Sequence, residues 1–176
     1  MYASVLPSEA VRCAQVRQRA HGRVALSVAR LGPATRATRV AEAGSLRLRM
    51  PRVPGPALEA VLINTGGGIA CGDQLEIDVE AGGNTQLVVT TPAAEKAYRS
   101  DGPTADIAMH MTLAAGADLT WIPQETILFD RARLQRRFEA DLAADARLLL
   151  FEAVVFGRTA RGEEMNEGVF EDRWRG

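Results

Sequence analysis

DQLEIDVEAGGNTQLVVTT, residues 73–91, is the stretch on which the fold turns. Leu75, Ile77 and Val79 alternate with Glu76, Asp78 and Glu80, the period-two pattern of a strand with one face on a core. Gly82-Gly83-Asn84 then supplies turn chemistry, and residues 84–91 resume the strand. Outward from here the same rhythm recurs. Val24, Leu26 and Val28 alternate with Ala25, Ser27 and Ala29, and Leu46, Leu48 and Met50 with Ser45, Arg47 and Arg49. TADIAMHMTL places Ile107, Met109, Met111 and Leu113 on one face, and ADLTWIP does the same for Leu119 and Trp121 before Pro123 ends the run. ARLQRRFEADL sets Leu134, Arg136 and Phe138 against Gln135, Arg137 and Glu139 and reads as a strand, and another begins in GVFEDRWRG, residues 168–176. Asp101-Gly102-Pro103 and Ala115-Gly116-Ala117 are further turn signals.

Helix signals are few. Ser8 to Arg19 has helix formers but little apolar stripe, and Thr91 to Arg99, with Pro92 after a Thr cap, reads as a short helix or turn. The residues therefore point to an all-β sandwich, barrel or stacked-sheet architecture. The expectation is a mainly β fold of stacked or sandwiched, antiparallel-rich sheets, β-helical-like in two layers, with one or two short helices. No fixed period of repetition is visible, so a solenoid does not follow from pattern alone.

With 176 residues and 47% of them hydrophobic, the chain suits one folded domain rather than two. We expect a flexible basic lead-in over residues 1–22 and a β-rich domain over residues 23–176. Ten arginines face three acids in residues 1–60, whereas residues 61–176 hold nineteen acids against eleven basic residues. The arginines of the basic part are evenly spread and no aromatics are interleaved with them, which argues against nucleic-acid binding. No run approaches the roughly 18 to 20 apolar residues of a membrane helix. Cys13 and Cys71 lie in no CxxC pair, so neither a disulfide framework nor a sulfur-bound zinc site is indicated, and a cytoplasmic setting is expected.

Four segments could carry chemistry. Gly66-Gly67-Gly68, within residues 64–73, could cradle an anion on its backbone, but it lacks the Gly-Lys-Ser/Thr of a phosphate loop and precedes a strand, so a tight inter-strand connection is the plainer reading. Asp73, which closes that loop, is either a turn residue bonded to its own backbone or a carboxylate held inside the protein. Lys96, the one lysine of the chain, sits beside Glu95 in TTPAAEKAYRS, where a solvated pair is the commoner outcome. WIPQETILFD contains Trp121 and Phe129, both expected in the core. In LLLFEAVVFGR, Glu152 lies amid eight apolar residues; if buried it needs a partner, most obviously Arg158, or an ion or water path. There is no G-x-S-x-G or H-E-x-x-H, and only His21 and His110 are present, so a Ser-His-Asp or histidine-metal site is hard to build.

In these segments the sequence resembles the urease accessory protein UreD (UreH) family. INTGGGIACGDQL, TTPAAEKAYRS, WIPQETILF and FEAVVFGRTARGE match four of its motifs in order, over about residues 22–175, with Cys71 where the family often has glycine. Family members are longer, so the chain looks like an N-terminal portion, incomplete at its C-terminal side. The resemblance implies a non-enzymatic urease maturation factor. It would be a β-rich scaffold joining UreF and UreG on apo-urease, in contact with the urease structural subunits and as a homodimer within the complex, with no nucleic-acid or membrane partner. It would help nickel into the urease active site, with no tightly bound cofactor and nickel only in transit. A cation in transit is better served by oxygen ligands than by a Cys/His cage. Asp73, Glu95 and Glu152 are the expected lining of that path. The reading from another class is a small-molecule enzyme using the triple-glycine loop for an anionic substrate, with Lys96 or Glu125 as acid/base.

Overall fold

The computed structural model of the chain describes residues 19–176. Most of the expected lead-in, Cys13 and nearly all of the Ser8–Arg19 helix candidate thus lie outside the described residues. Strand β1 (His21–Leu31) turns back through Gly32, at φ +63°, into the antiparallel β2 (Ala34–Gly44). β3 (Leu46–Arg49) then pairs antiparallel with β4 (Leu58–Asn64). From Gln74 the chain winds as a three-sided coil. β5 (Gln74–Ala81), β6 (Gln86–Thr90) and β7 (Glu95–Ala97) make one turn, and β8 (Ala105–Leu113), β9 (Asp118–Trp121) and β10 (Thr126–Leu128) the next. β11 (Arg133–Leu142), β12 (Arg147–Leu150) and β13 (Val154–Phe156) form a third, and β14 (Val169–Arg175) opens a fourth. Equivalent strands stack into three sheets, ordered β14-β11-β8-β5-β1-β2, β12-β9-β6-β4-β3 and β13-β10-β7.

The mainly β, stacked, β-helical-like expectation matches this architecture. The antiparallel-rich part does not: among the described residues only β1 with β2 and β3 with β4 are antiparallel strand pairs, and every other strand pairing is parallel. Consecutive strands bend at corners into different sheets, so sheet neighbours lie one full turn apart and run in the same direction. Alternation reveals which face is buried but not which strand is adjacent. The short helix or turn expected at Thr91 to Arg99 is instead β7 with its flanking loops, held in register between Ile69 and β10. The one helical element among the described residues is a 3-10 turn, Thr159–Arg161.

Stacking in register puts like residues on top of one another about 4.8 Å apart. One inward column runs Val24, Ile77, Met109, Phe138, and the next runs Leu26, Val79, Met111, Ala140. The facing sheet contributes Leu87, Leu119 and Leu148. Each fully buried side chain of this size contributes about 1.5–3 kcal/mol. Trp121 is buried in this core, edge-on to Phe138 at 6.3 Å. Phe129, also expected in the core, is half-buried and packs edge-on against Tyr98 at 5.1 Å. The turn signals become the corners. Gly116 (φ +68°) lies next to Asn84 (φ +55°) of the preceding turn, whose N–H donates to the Ala115 carbonyl at 3.0 Å. The third turn leaves Leu149, Phe151 and Phe156 exposed, and β14 leaves Trp174 exposed.

Candidate functional site

The column next to these aliphatic ones changes character along the coil. It begins with Gly22, continues through Leu75 and Ile107, and then reaches Arg136 and Asp172. Strand alternation turns residue 136 inward, so its guanidinium is buried, with 3% of the side chain exposed. A charge in such a place needs partners. Nη1 donates to Glu152 Oε2 at 2.8 Å and makes a longer contact with Thr126 Oγ1 at 3.4 Å, while Nη2 donates to Asp172 Oδ2 at 2.5 Å. The Phe170 ring lies 5.3 Å from the guanidinium carbon. Nε is buried and has no hydrogen-bond partner among the described residues.

Glu152 follows β12, where the chain leaves the strand and bends into the interior; 7% of its side chain is exposed. Its second oxygen, Oε1, accepts from the indole Nε1 of Trp121 at 2.6 Å. The partner expected for it, Arg158, is elsewhere. Gly157, at φ +84°, turns the chain outward after β13, and Arg158 stacks over Phe129 at 4.4 Å and binds Glu163. That pairing lowers the Glu163 carboxyl below the usual glutamate range and raises Arg158.

Glu95 faces the interior from β7, in register with Thr126 of β10 and Val154 of β13. Burial raises its carboxyl above the ordinary glutamate value. This outweighs the donation from Asn64 Nδ2 to Oε2 at 3.2 Å and from the Lys96 N–H to Oε1 at 3.2 Å. Glu95, Glu152, Arg136, Thr126, Lys96 and Gln124 all line one cavity of about 250 Å³ between the three sheets, whose remaining wall is largely apolar. The residues expected from sequence are thus divided. Glu95 and Glu152 share this cavity; Asp73 does not line it. Asp73 is buried before β5, with Oδ1 accepting from the Ala20 N–H at 2.8 Å and Oδ2 from the Ala70 N–H at 2.7 Å. It ties the entry of β1 to the glycine loop, and its negative charge is a small additional cause of the raised Glu95.

The triple-glycine loop packs against β7. Gly68, at φ +144°, has no room for a side chain, since a Cβ would collide with the Tyr98 ring and stand 2.9 Å from the Lys96 carbonyl oxygen. The Ile69 N–H donates to that carbonyl at 2.7 Å, and Tyr98 Oη donates to the Gly67 carbonyl at 2.7 Å. These contacts are those of the tight inter-strand connection. Lys96 is exposed, and Glu125 is half-buried, with its backbone carbonyl accepting from the Glu95 N–H at 2.9 Å. Cys71 is buried beside Arg19, 3.0 Å from Nη1, while His110 is exposed and pairs with Glu139 at 3.1 Å.

Arg136, Trp121, Thr126 and Asp172 were not among the site residues expected from the sequence. A signal was present for one of them: Arg136 sits in the apolar phase of its strand, between Leu134 and Phe138. Chemically the cavity offers two carboxylates, one of them raised toward its neutral form and one already engaged by a guanidinium. Among the described residues no group of three or more His, Cys, Asp or Glu side chains is gathered closely enough to cage a metal ion, and no helix is long and apolar enough to cross a membrane.

The sequence profile of the family described as UreD urease accessory protein matches residues 20–175. The chain is 60% identical over 159 residues to the urease accessory protein UreD of Azorhizobium caulinodans, covering 90% of this chain and 59% of that protein. It is 56% identical over 160 residues to that of Xanthobacter autotrophicus, covering 91% and 55%. Urease accessory protein UreD 1 of Methylobacterium radiotolerans is 57% identical over 169 residues, covering 95% and 58%. The chain therefore spans somewhat more than half the length of these relatives.

Proposed function

The chain belongs to the UreD urease accessory protein family, and from that premise we propose that it acts in urease maturation as a non-catalytic scaffold. It joins UreF-like and UreG-like partners on apo-urease and gives nickel a sheltered route toward the urease active site, in the cytoplasm and with no resident cofactor. The observation that carries this reading is the 250 Å³ cavity, on which Glu95 from β7 and Glu152 from the bend after β12 present oxygen ligands from two different turns of the coil. Carboxylates hold a divalent first-row ion more loosely than a Cys/His cage, which is what a cargo in transit needs. Asp73 takes part from outside the cavity, by fixing the loop that backs onto β7.

The test is co-expression with urease subunits and the UreF-like and UreG-like proteins, followed by pull-down and a nickel assay of the urease. It is run with this chain and with the Azorhizobium caulinodans relative whose matching segment is replaced by residues 20–175. Glu95→Gln and Glu152→Gln should leave co-purification intact while lowering the nickel content of urease several-fold. Full nickel loading with both carboxylates removed would refute the route, and lack of association in either form would refute the scaffold.

A further inference from the structure

Among the groups on the cavity wall, Arg136 is the one that the route just proposed does not explain. A Leu or Ile at 136 would simply continue the ladder of Leu75 and Ile107. Strand packing asks for no charge there, and burying a guanidinium carries a desolvation penalty. Resting on the reading that a divalent cation passes through this cavity, we propose that Arg136 is an internal counter-ion that competes with that cation for Glu152 and keeps it from being trapped.

The geometry supports a competition. One guanidinium reaches two carboxylates, Glu152 through Nη1 and Asp172 through Nη2. Trp121 Nε1 donates a neutral hydrogen bond to Glu152 Oε1, so the oxygen at which a cation meets a competing charge is Oε2, the one held by Arg136. In a low-dielectric interior a guanidinium and a divalent ion on the same carboxylate oxygen repel strongly, so arrival of the ion displaces Nη1. The displaced group is not stranded, because Asp172 already holds its other arm. Among the described residues Nε has no hydrogen-bond partner, so none of them supplies a third tether that would resist this rotation. When the ion departs, Nη1 returns to Oε2. Glu152 is therefore a ligand at reduced strength, and the residence of the ion is short.

Nickel and cobalt binding to the full 176-residue chain tests this by titration calorimetry, by the visible absorption of bound Co²⁺, and by the rate at which a chelator strips Ni²⁺ in stopped flow. The variants are Arg136→Gln, Arg136→Lys, Glu152→Gln, Asp172→Asn and the double variant Arg136→Gln/Glu152→Gln, each first checked for a cooperative melt. Arg136→Gln should bind Ni²⁺ at least about tenfold tighter and release it correspondingly more slowly, and the gain should vanish in the double variant. Arg136→Lys, whose single ammonium cannot fork between both carboxylates, should shift in the same direction by a smaller factor, and it carries the test if Arg136→Gln does not fold. Asp172→Asn, which weakens the place Arg136 moves to, should bind several-fold more weakly. Unchanged or weaker binding in a folded Arg136 variant, or a gain that survives loss of Glu152, overturns the counter-ion role. If Glu152→Gln still lowers the nickel content of urease several-fold, that failure leaves the route standing. If neither the native chain nor any Arg136 variant binds Ni²⁺ and Glu152→Gln loads urease fully, both fall.

Discussion

Arg136 and Ile107 occupy the same step of adjacent parallel strands, so a guanidinium stands directly above an aliphatic side chain inside the coil. Its two carboxylate partners come from different elements, Glu152 after β12 and Asp172 on β14, and the cluster joins the third turn to the fourth. Arg136→Met should therefore destabilise the fold by about 3–5 kcal/mol, because it leaves two carboxylates without their cation. Arg136→Met/Glu152→Gln should lose clearly less than the sum of its parts. Urea unfolding of the two single variants and the double one measures the coupling. Additive losses would mean that the pair is not an energetic unit.

Glu95 sets a pH dependence. Burial raises its folded-state carboxyl above the ordinary value of 4.5. The folded state therefore holds the proton where the unfolded chain has released it. The stability this group contributes is complete below about 4.5 and is lost as pH rises through the raised value. Glu95→Gln should abolish this part of the pH profile, and the variant should gain thermal stability relative to the native chain as pH is raised from 4.5 toward neutrality. Parallel melting profiles across that range would contradict the assignment.

The glycine loop allows a graded series. Gly68→Ala combines φ +144° with collision against Tyr98 and should cost about 2 kcal/mol or more. Gly67→Ala, at φ +75° with open space around it, should cost about 1 kcal/mol. Gly66→Ala lies outside the positive-φ region, with a 3.0 Å neighbour in the Asn64 side chain, and should lose least. Denaturation midpoints in any other order would show that the contact with Tyr98 is not what requires glycine at position 68.

Asp73 and Glu152 should separate by phenotype. Asp73→Ala strips two part-buried backbone N–H groups of their acceptor, at about 0.5–1.5 kcal/mol for each hydrogen bond lost. It should lower the melting temperature and should affect cation binding only to the extent that the loop loosens. Glu152→Gln keeps the shape of the side chain and acts on the cavity. Equal effects of both substitutions on Ni²⁺ affinity in folded protein would place Asp73 in the route itself.

Much of the fold was legible in the residues. Alternation in 75–79, 107–113 and 134–138 marked inward faces, and the segments at 82–84 and 115–117 marked corners. The parallel stack was not legible, because the turns are unequal. Strands of the first sheet begin at Gln74, Ala105, Arg133 and Val169, so no fixed period survives in the sequence. β7, β10 and β13 carry no signal of their own because three residues are too few to show alternation, and they are strands only through their parallel neighbours. β2 is illegible for another reason: as an exposed edge rich in Arg, Ala and Thr, it carries no apolar face beyond its first residues.

The candidate site divides in the same way. Motif resemblance and the isolation of Glu152 among apolar residues were enough to select the family and one cavity carboxylate, since a buried acid announces its need for a partner. The identity of that partner depended on where the coil turns. Gly157 directs the nearby Arg158 outward, while the bend of the third turn brings Arg136, sixteen residues before it, against Glu152, and stacking of the fourth turn adds Asp172. The sequence by itself thus determined which side chains point inward, because a strand alternates faces with a period of two. Only the tertiary structure decided which inward side chains meet, because register between strands a full turn apart is set by the lengths of the intervening corners and loops.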